Sequence, residues 1–265
     1  MSSQVTRGLG RWFRPADADP DAVARVFLFP CAGGNAGMYQ DWPAMFPPDI
    51  ATQSVQFPGR LDRLAEPAYT AMDPLIEAMT EAFEAELDGR PYAFFGHSMG
   101  ALLAYRMALA LERETGTGPV LIASAGWAPE GFATPTLEVL QRSQDELIEW
   151  VVSLGSLPEA LYRNPDLLAL LIPPTRADLA ACIDYTDDGA RMSCPVVTYS
   201  GKDDPLVSPG AMASWASRGT GLLGNCEFEG GHFFIYHAAQ AIATDLTRRI
   251  RRTIVTQSAD RASVR

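Results

Sequence analysis

Ser98 stands between Gly96 and Gly100 in "FFGHSMGALLAY", with an apolar run entering it and a helix-like run leaving it. A Gly-x-Ser-x-Gly turn between a strand and a helix is the arrangement of a nucleophile elbow. The turn is too tight for side chains beside the serine, and its strain lifts the hydroxyl clear of the sheet edge. The following helix aims its first N–H groups at the same point, which favours negative charge there. Such a pentapeptide also fits a purely structural turn, so the rest of the constellation must decide. A serine hydroxyl is a poor nucleophile until a base takes its proton, and the chain has three histidines from which to supply one. His97 lies inside the turn, where the backbone directs its side chain away from that of Ser98, so it packs or bonds locally. His237 belongs to the helix-like run "IYHAAQAIATDLTRRI". His232 follows the strand-like "CEFEGGHFF", and two glycines place it on a loop at the C-terminal edge of a sheet, where an imidazole can swing over the serine.

The third member must fix the imidazole tautomer, and it is expected between serine and histidine in chain order, at a strand end. "CPVVTYSGKDDPLV" supplies two aspartates. The pattern Gly-x-x-Asp-x-x-Val maps onto Gly201, Asp204 and Val207, which favours Asp204 and leaves Asp203 to face solvent or cap the turn. Acyl transfer also needs donors for a tetrahedral oxyanion. The backbone N–H of Met99, next after the serine, is one. The other falls in "FPCAGGNAGMY", where Ala32 is assigned, although a Gly-Gly pair there equally fits an ordinary turn. Cys31 has no histidine motif of its own and reads as a small packing residue.

These residues need a scaffold that brings strand ends together. Apolar runs at 24–30, 51–58, 91–97, 119–126 and 194–201 read as buried strands, and helix-like segments alternate with them. In "MDPLIEAMTEAFEAEL", Leu75, Met79, Phe83 and Leu87 fall on one stripe. Alternation of this kind implies a mostly parallel, doubly wound α/β sheet. The interval 128–192 far exceeds the roughly 10 to 12 residues that a βαβ crossover needs. Helix starts are legible inside it, at Ser143 with Glu146, at Asn164 before Pro165, and at Thr175 before Asp178. Its many apolar positions make it either additional core or a lid over an apolar channel.

Composition bounds the rest. A chain of 265 residues, 47% hydrophobic, can bury one substantial core. The segments are an N-terminal extension at 1–22, a core at 23–127 and 193–252, the helical insert at 128–192, and a tail at 253–265 expected to be disordered. A formal charge of −11 argues against a nucleic-acid partner. No apolar leader or spanning segment is present, and the four cysteines show no disulfide or metal-ligand spacing, so a cytoplasmic protein without metal or membrane association is expected.

The stretches "FPCAGGNAGMY", "VQFPGRLDRLAEP", "FFGHSMGALLAYRMA", "LGSLPEALYRNPDLLALLIPPTRADL", "YSGKDDPLV" and "EGGHFF" together resemble the type II thioesterases, editing hydrolases that accompany polyketide and nonribosomal peptide synthases. The resemblance spans nearly the whole chain. It implies an α/β-hydrolase fold, Ser98 as nucleophile, Asp204 and His232 as its partners, Ala32 and Met99 as oxyanion donors, and the insert as a flexible lid. It also implies a thioester substrate carried on the phosphopantetheine of an acyl or peptidyl carrier protein; the chain lacks an Asp-Ser-Leu attachment site, so the carrier is expected to be separate, and since both partners are acidic a transient complex is expected, with a monomer that needs no cofactor of its own. Cys31 stands where relatives often carry histidine, and Trp127 where arginine is frequent, which touches pocket shape rather than the triad. Arg60 and Arg63 are either solvated surface residues or a dock for the cofactor phosphate. The competing functions are a free-standing esterase or acyltransferase on the same residues and a non-catalytic binding protein of this fold.

Overall fold

The structure is a computed structural model and describes residues 12–263. Seven strands form one sheet: β1 (Phe13–Arg14), β2 (Ala24–Phe29), β3 (Ile50–Val55), β4 (Tyr92–His97), β5 (Leu121–Ala125), β6 (Val196–Gly201) and β7 (Leu222–Phe228). Their spatial order is β1-β3-β2-β4-β5-β6-β7, and all neighbours run parallel except β1, which pairs antiparallel with β3. The chain leaves β2 towards β3 and leaves β4 towards β5, in opposite directions. The crevice beyond the C-terminal ends of these two adjacent strands is therefore a topological switch point, where open α/β sheets hold ligands.

The helices are α1 (Met72–Glu86), α2 (Met99–Thr115), α3 (Leu137–Gln141), α4 (Gln144–Ser153), α5 (Glu159–Tyr162), α6 (Pro165–Asp184) and α7 (Ile235–Ser263). Alternation along the strands sorts the core into two layers. Phe27, Phe29 and Phe94 point to the α1 and α2 side, where Phe83 meets all three rings, while Val26, Leu28, Ala93 and Phe95 face the side covered by α7. Burying each such phenylalanine contributes about 1.5–3 kcal/mol.

Two segment boundaries differ from expectation. Trp12 and Phe13 are not an appendage: Phe13 forms the edge strand and packs against Phe27 and Phe83, because an aromatic pair at the sheet margin gains more from burial than from solvent. Residues 1–11 lie outside the described residues. At the other end α7 runs on through Ser263, so the described part of the expected disordered tail is helical. The basic run "RRIRR" sits within that helix, where Ile242, Leu246 and Ile250 form the buried stripe, Ile254 packs half-buried beyond it, and the arginines take the outer face. Arg249 pairs with Asp245 four residues earlier, and Arg251 pairs with Asp49 across the fold.

The insert is helical as expected. Ser143 and Glu146 form the reciprocal capping box of α4, and the Asn164 side chain caps α6 by accepting from Leu167 N–H. Thr175 does not start a helix. Helix α6 continues through Pro173 and Pro174, and the Thr175 hydroxyl donates back to the Leu171 carbonyl at 2.6 Å. Val139, Leu147, Ile172 and Leu179 give the insert a small core of its own.

Candidate active site

Every residue singled out for chemistry lies just beyond the C-terminal end of a parallel strand: Ala32 after β2, Ser98 after β4, Asp204 after β6 and His232 after β7. Ser98 has φ 55° and ψ −122°, a strained conformation that neither strand nor helix supplies. A side chain on Gly96 would strike the Gly100 carbonyl, and one on Gly100 would strike the Phe29 carbonyl, so both glycines are required by close backbone approach. The Ser98 N–H is anchored to the Ala125 carbonyl at 2.8 Å. Met99 opens α2, and its N–H is among the first helical donors, which have no acceptor within the helix.

Asp204 and His232 meet directly. His232 Nδ1 lies 2.8 Å from Asp204 Oδ2; a carboxylate accepts, so Nδ1 is the donor, and in the neutral ring the free lone pair is then on Nε2. The other Asp204 oxygen accepts from Leu206 N–H at 2.9 Å, which fixes the carboxylate plane. Asp203 is exposed. Ser98 and His232 line the same cavity, but no hydrogen bond joins them in this conformation. Such bonds are often long before substrate closes the site.

The insert braces the histidine loop from above. His232 N–H donates to the Leu154 carbonyl at 2.7 Å, Phe233 N–H to the Gly155 carbonyl at 3.1 Å, and Gly231 N–H to the Ser156 hydroxyl at 2.9 Å. From below, His97 Nε2 donates to the His232 carbonyl at 2.8 Å. His97 is thus a support for the base, a role its position in the sequence did not reveal. His237 is exposed and donates to the Glu229 carbonyl, as a satisfied surface histidine does.

Burial, reinforced by the neighbouring His232, holds His97 well below the ordinary imidazole range. Its Nδ1 has no partner among the described residues. The unfolded chain therefore takes up a proton at residue 97 below about pH 6.5 that the folded protein refuses, and each further pH unit removes up to about 1.4 kcal/mol of stability. Thermal unfolding measured from pH 7 to pH 5 should show the native protein losing stability faster than His97→Gln, whose amide can keep the bond to residue 232. Parallel curves would mean that the imidazole is protonated in the folded state.

A cavity of about 580 Å³ lies between the sheet edge and the insert. Its walls are mostly apolar, with Met38, Leu102, Trp127, Leu171 and Leu179 beside Ser98 and His232. Cys31 and Trp127 both face it. Cys31 is buried against Met38, and burial followed by the nearby Asp178 charge pushes its thiol up to about 12, so it is no competing nucleophile at neutral pH.

Arg60 and Arg63 correct both sequence readings. They are 4% and 5% exposed, neither solvated nor free for a phosphate. Arg63 stacks over Trp12 at 4.3 Å and pairs with Glu66, while Arg60 makes a two-pronged bond to Asp178 in α6 at 2.7 and 2.9 Å. Charged residues in a short loop read as surface because nothing local shows the distant partner that buries them.

The model of the family described as "Thioesterase domain" matches residues 24–252. Thioesterase PikA5 of Streptomyces venezuelae is 30% identical, over 96% of this chain and 90% of its own. Gramicidin S biosynthesis protein GrsT of Aneurinibacillus migulanus is 29% identical, over 92% and 95% respectively. Among solved structures, the type II thioesterase BorB from the borrelidin biosynthetic cluster superposes with a TM-score of 0.82 at 30% identity, covering 91% of this chain and 98% of BorB. The chain therefore belongs to the thioesterase domain family, in its type II group, and is a thioester hydrolase on an α/β-hydrolase fold.

Proposed function

We propose that this enzyme hydrolyses acyl or aminoacyl thioesters held on the phosphopantetheine of carrier proteins, clearing misprimed or stalled chains through an acyl-enzyme at Ser98. The observation that carries the reading is the Asp204–His232 bond, which engages Nδ1 and leaves Nε2 as the basic nitrogen of the neutral ring, at an apolar cavity that His232 and Ser98 both line. In the first half-reaction Ser98 Oγ bonds to the thioester carbonyl carbon while its proton passes to His232 Nε2. The carbonyl oxygen becomes an oxyanion between the N–H groups of Ala32 and Met99. Collapse of that intermediate breaks the C–S bond, and His232 returns the proton to the departing pantetheine sulfur. In the second half a water gives its proton to His232 as it attacks the ester, and the acid leaves as Ser98 recovers its own. Asp204 stays ionised throughout and stabilises the imidazolium.

An apolar cavity suits the hydrocarbon part of an acyl chain. GrsT and BorB are named for gramicidin S and borrelidin biosynthesis, and a synthase of that kind presents its intermediates as carrier thioesters. With Arg60 and Arg63 internal, the carrier must dock on other groups, and an acidic enzyme meeting an acidic carrier forms a transient complex. We place the reaction in the cytoplasm and carry it out with a monomer. Among the described residues no helix is long and apolar enough to cross a membrane, and the four cysteines are free thiols.

Intact-protein mass spectrometry of a panel of acylated carriers, with and without enzyme, tests this reading. The carriers should lose the acyl mass and return to the free phosphopantetheine form, with the acid in solution. Carriers left untouched while oxygen esters are cleaved, or acyl groups delivered to an added alcohol, would establish an esterase or acyltransferase instead.

A further inference from the structure

The loop after β2 has to hold the Ala32 N–H at a fixed angle, yet it contains two glycines in sequence, the most permissive backbone available. What fixes it comes from elsewhere in the chain. Residues 31–34 form a turn closed by Gly34 N–H donating to the Cys31 carbonyl at 2.9 Å, with Gly33 at φ 73° in the third position, as a type II turn requires. Cys31 C=O and Ala32 N–H belong to one planar peptide and point in opposite directions. Tying the carbonyl into the turn therefore turns the Ala32 N–H outward, on the side where Cys31 and Ala32 line the cavity.

The next peptide is the one that distinguishes a type II turn from a type I turn, by a flip of its plane. Its N–H, on Gly33, donates to Asp178 Oδ2 at 2.8 Å. Arg60 closes the arrangement. Its Nη1 donates both to that same Asp178 oxygen and to the Gly34 carbonyl at 2.9 Å, its Nη2 donates to the other Asp178 oxygen, and its Nε donates to the Pro58 carbonyl. Thr175, on the same helix face, fills the space where a side chain on Gly33 would stand.

We propose that the buried Arg60–Asp178 pair is a positioning device for oxyanion stabilisation: it holds the 31–34 turn in the form that presents Ala32 N–H to the substrate. The proposal rests on the reading of Ala32 as an oxyanion donor. It makes the second half of α6, which belongs to the insert by sequence, part of the catalytic support. It also explains why the pair is arginine and aspartate rather than aspartate alone. A lone carboxylate bonded to Gly33 would oppose the negative charge that develops one residue away. The guanidinium cancels that field with two donors on Asp178 and one each on the Gly34 and Pro58 carbonyls.

Geometry and field act differently in the two partners, and this separates positioning from simple bracing of the insert. Arg60→Gln loses the clamp on Gly34 and leaves the carboxylate uncompensated, so both effects oppose the oxyanion. Asp178→Asn weakens the hold on Gly33 but leaves a cation nearby, so the effects oppose each other. The expected fall in kcat is about 10²- to 10³-fold for Arg60→Gln, the scale of losing one oxyanion donor, about tenfold for Asp178→Asn, and intermediate for Arg60→Lys, with KM little changed.

An alkylboronic acid provides a second readout, since it forms a tetrahedral anionic adduct on a serine nucleophile without any thioester. Its affinity should weaken in the same order as kcat. Leu246→Ala, in the core layer beneath α7, against which Ala32 does not pack, serves as the structural control: it should lower the unfolding temperature and leave boronate affinity unchanged. Boronate affinity equal to native in the folded Arg60→Gln and Arg60→Lys proteins would overturn the proposal, as would a fall that merely follows unfolding temperature across all four variants. A native enzyme that forms no adduct on Ser98 would remove the underlying assignment as well, whereas one that binds boronate but leaves acyl carriers intact would affect the substrate reading alone.

Discussion

Ser98→Ala should lower turnover of an acyl-pantetheine thioester by about 10⁶-fold while leaving the fold intact, the scale seen when a hydrolase of this type loses its nucleophile. The size follows from the absence of a substitute at this point in the structure. The elbow places one side chain where β4 meets α2, and its neighbours are Gly96, His97, Met99 and Gly100. His97 points beneath the base and bonds its backbone, and burial keeps the thiols of Cys31 and Cys182, which line the same cavity, protonated at neutral pH. Residual catalysis would come from the oxyanion donors and from water activated by His232. Because alanine removes one oxygen from a wall that is otherwise unchanged, the variant should still take up the acyl chain. Incubation with an acyl-carrier followed by intact mass measurement is the check: native enzyme should show a transient mass increase equal to the acyl group, and Ser98→Ala none. Turnover within a hundredfold of native would require a different nucleophile.

The parts of this molecule that were legible in the sequence are those whose signal is local. Five segments read as β2 to β6 within a few residues, since strands buried on both faces are rich in apolar residues, although β3 also buries Thr52, Gln53 and Ser54. The elbow was legible because close backbone approach admits nothing but glycine at 96 and 100, and His232 because the chain offers so few alternatives. The two-residue strand β1 is too short to show a period. Thr175 reads as a helix start because Asp178 follows it three positions on, but α6 runs unbroken through Pro173 and Pro174, held by its packing on the insert's core and by the Asp178 contact, which outweigh the missing backbone bonds. Arg60 and Asp178 lie 118 positions apart, so no window on the sequence joins them. The one trace available was an acidic residue in the apolar run of α6, a position that an aspartate occupies buried only with a partner. The three bonds from residues 154–156 to the histidine loop were equally hidden, because backbone donors leave no mark on residue type.

Asp204→Asn should lower kcat by about 10⁴-fold with binding nearly unchanged, through the position of a single proton. The Asp204 side chain has two fixed partners: Leu206 N–H on Oδ1 and His232 Nδ1–H on Oδ2. Asparagine can satisfy the first with its carbonyl, which turns its amide hydrogens towards Nδ1. Two donors cannot face each other, so the imidazole moves its proton to Nε2. The base then presents a hydrogen to Ser98 where it must present a lone pair, and acylation stops although every heavy atom is in place. The opposite rotamer would keep the productive tautomer, but it would face the amide against Leu206 N–H and leave that half-buried donor without its acceptor. The choice between these two costs sets the magnitude, and the backbone donor cannot move as an imidazole proton can. Nitrogen chemical shifts of the His232 ring should report the change of tautomer directly. Asp203→Asn is the matched control, since that side chain is exposed and touches no part of the site, and its turnover should equal native. Loss at 203 with retention at 204 would move the acid by one residue and undo the assignment of the bond on which the proton transfers depend.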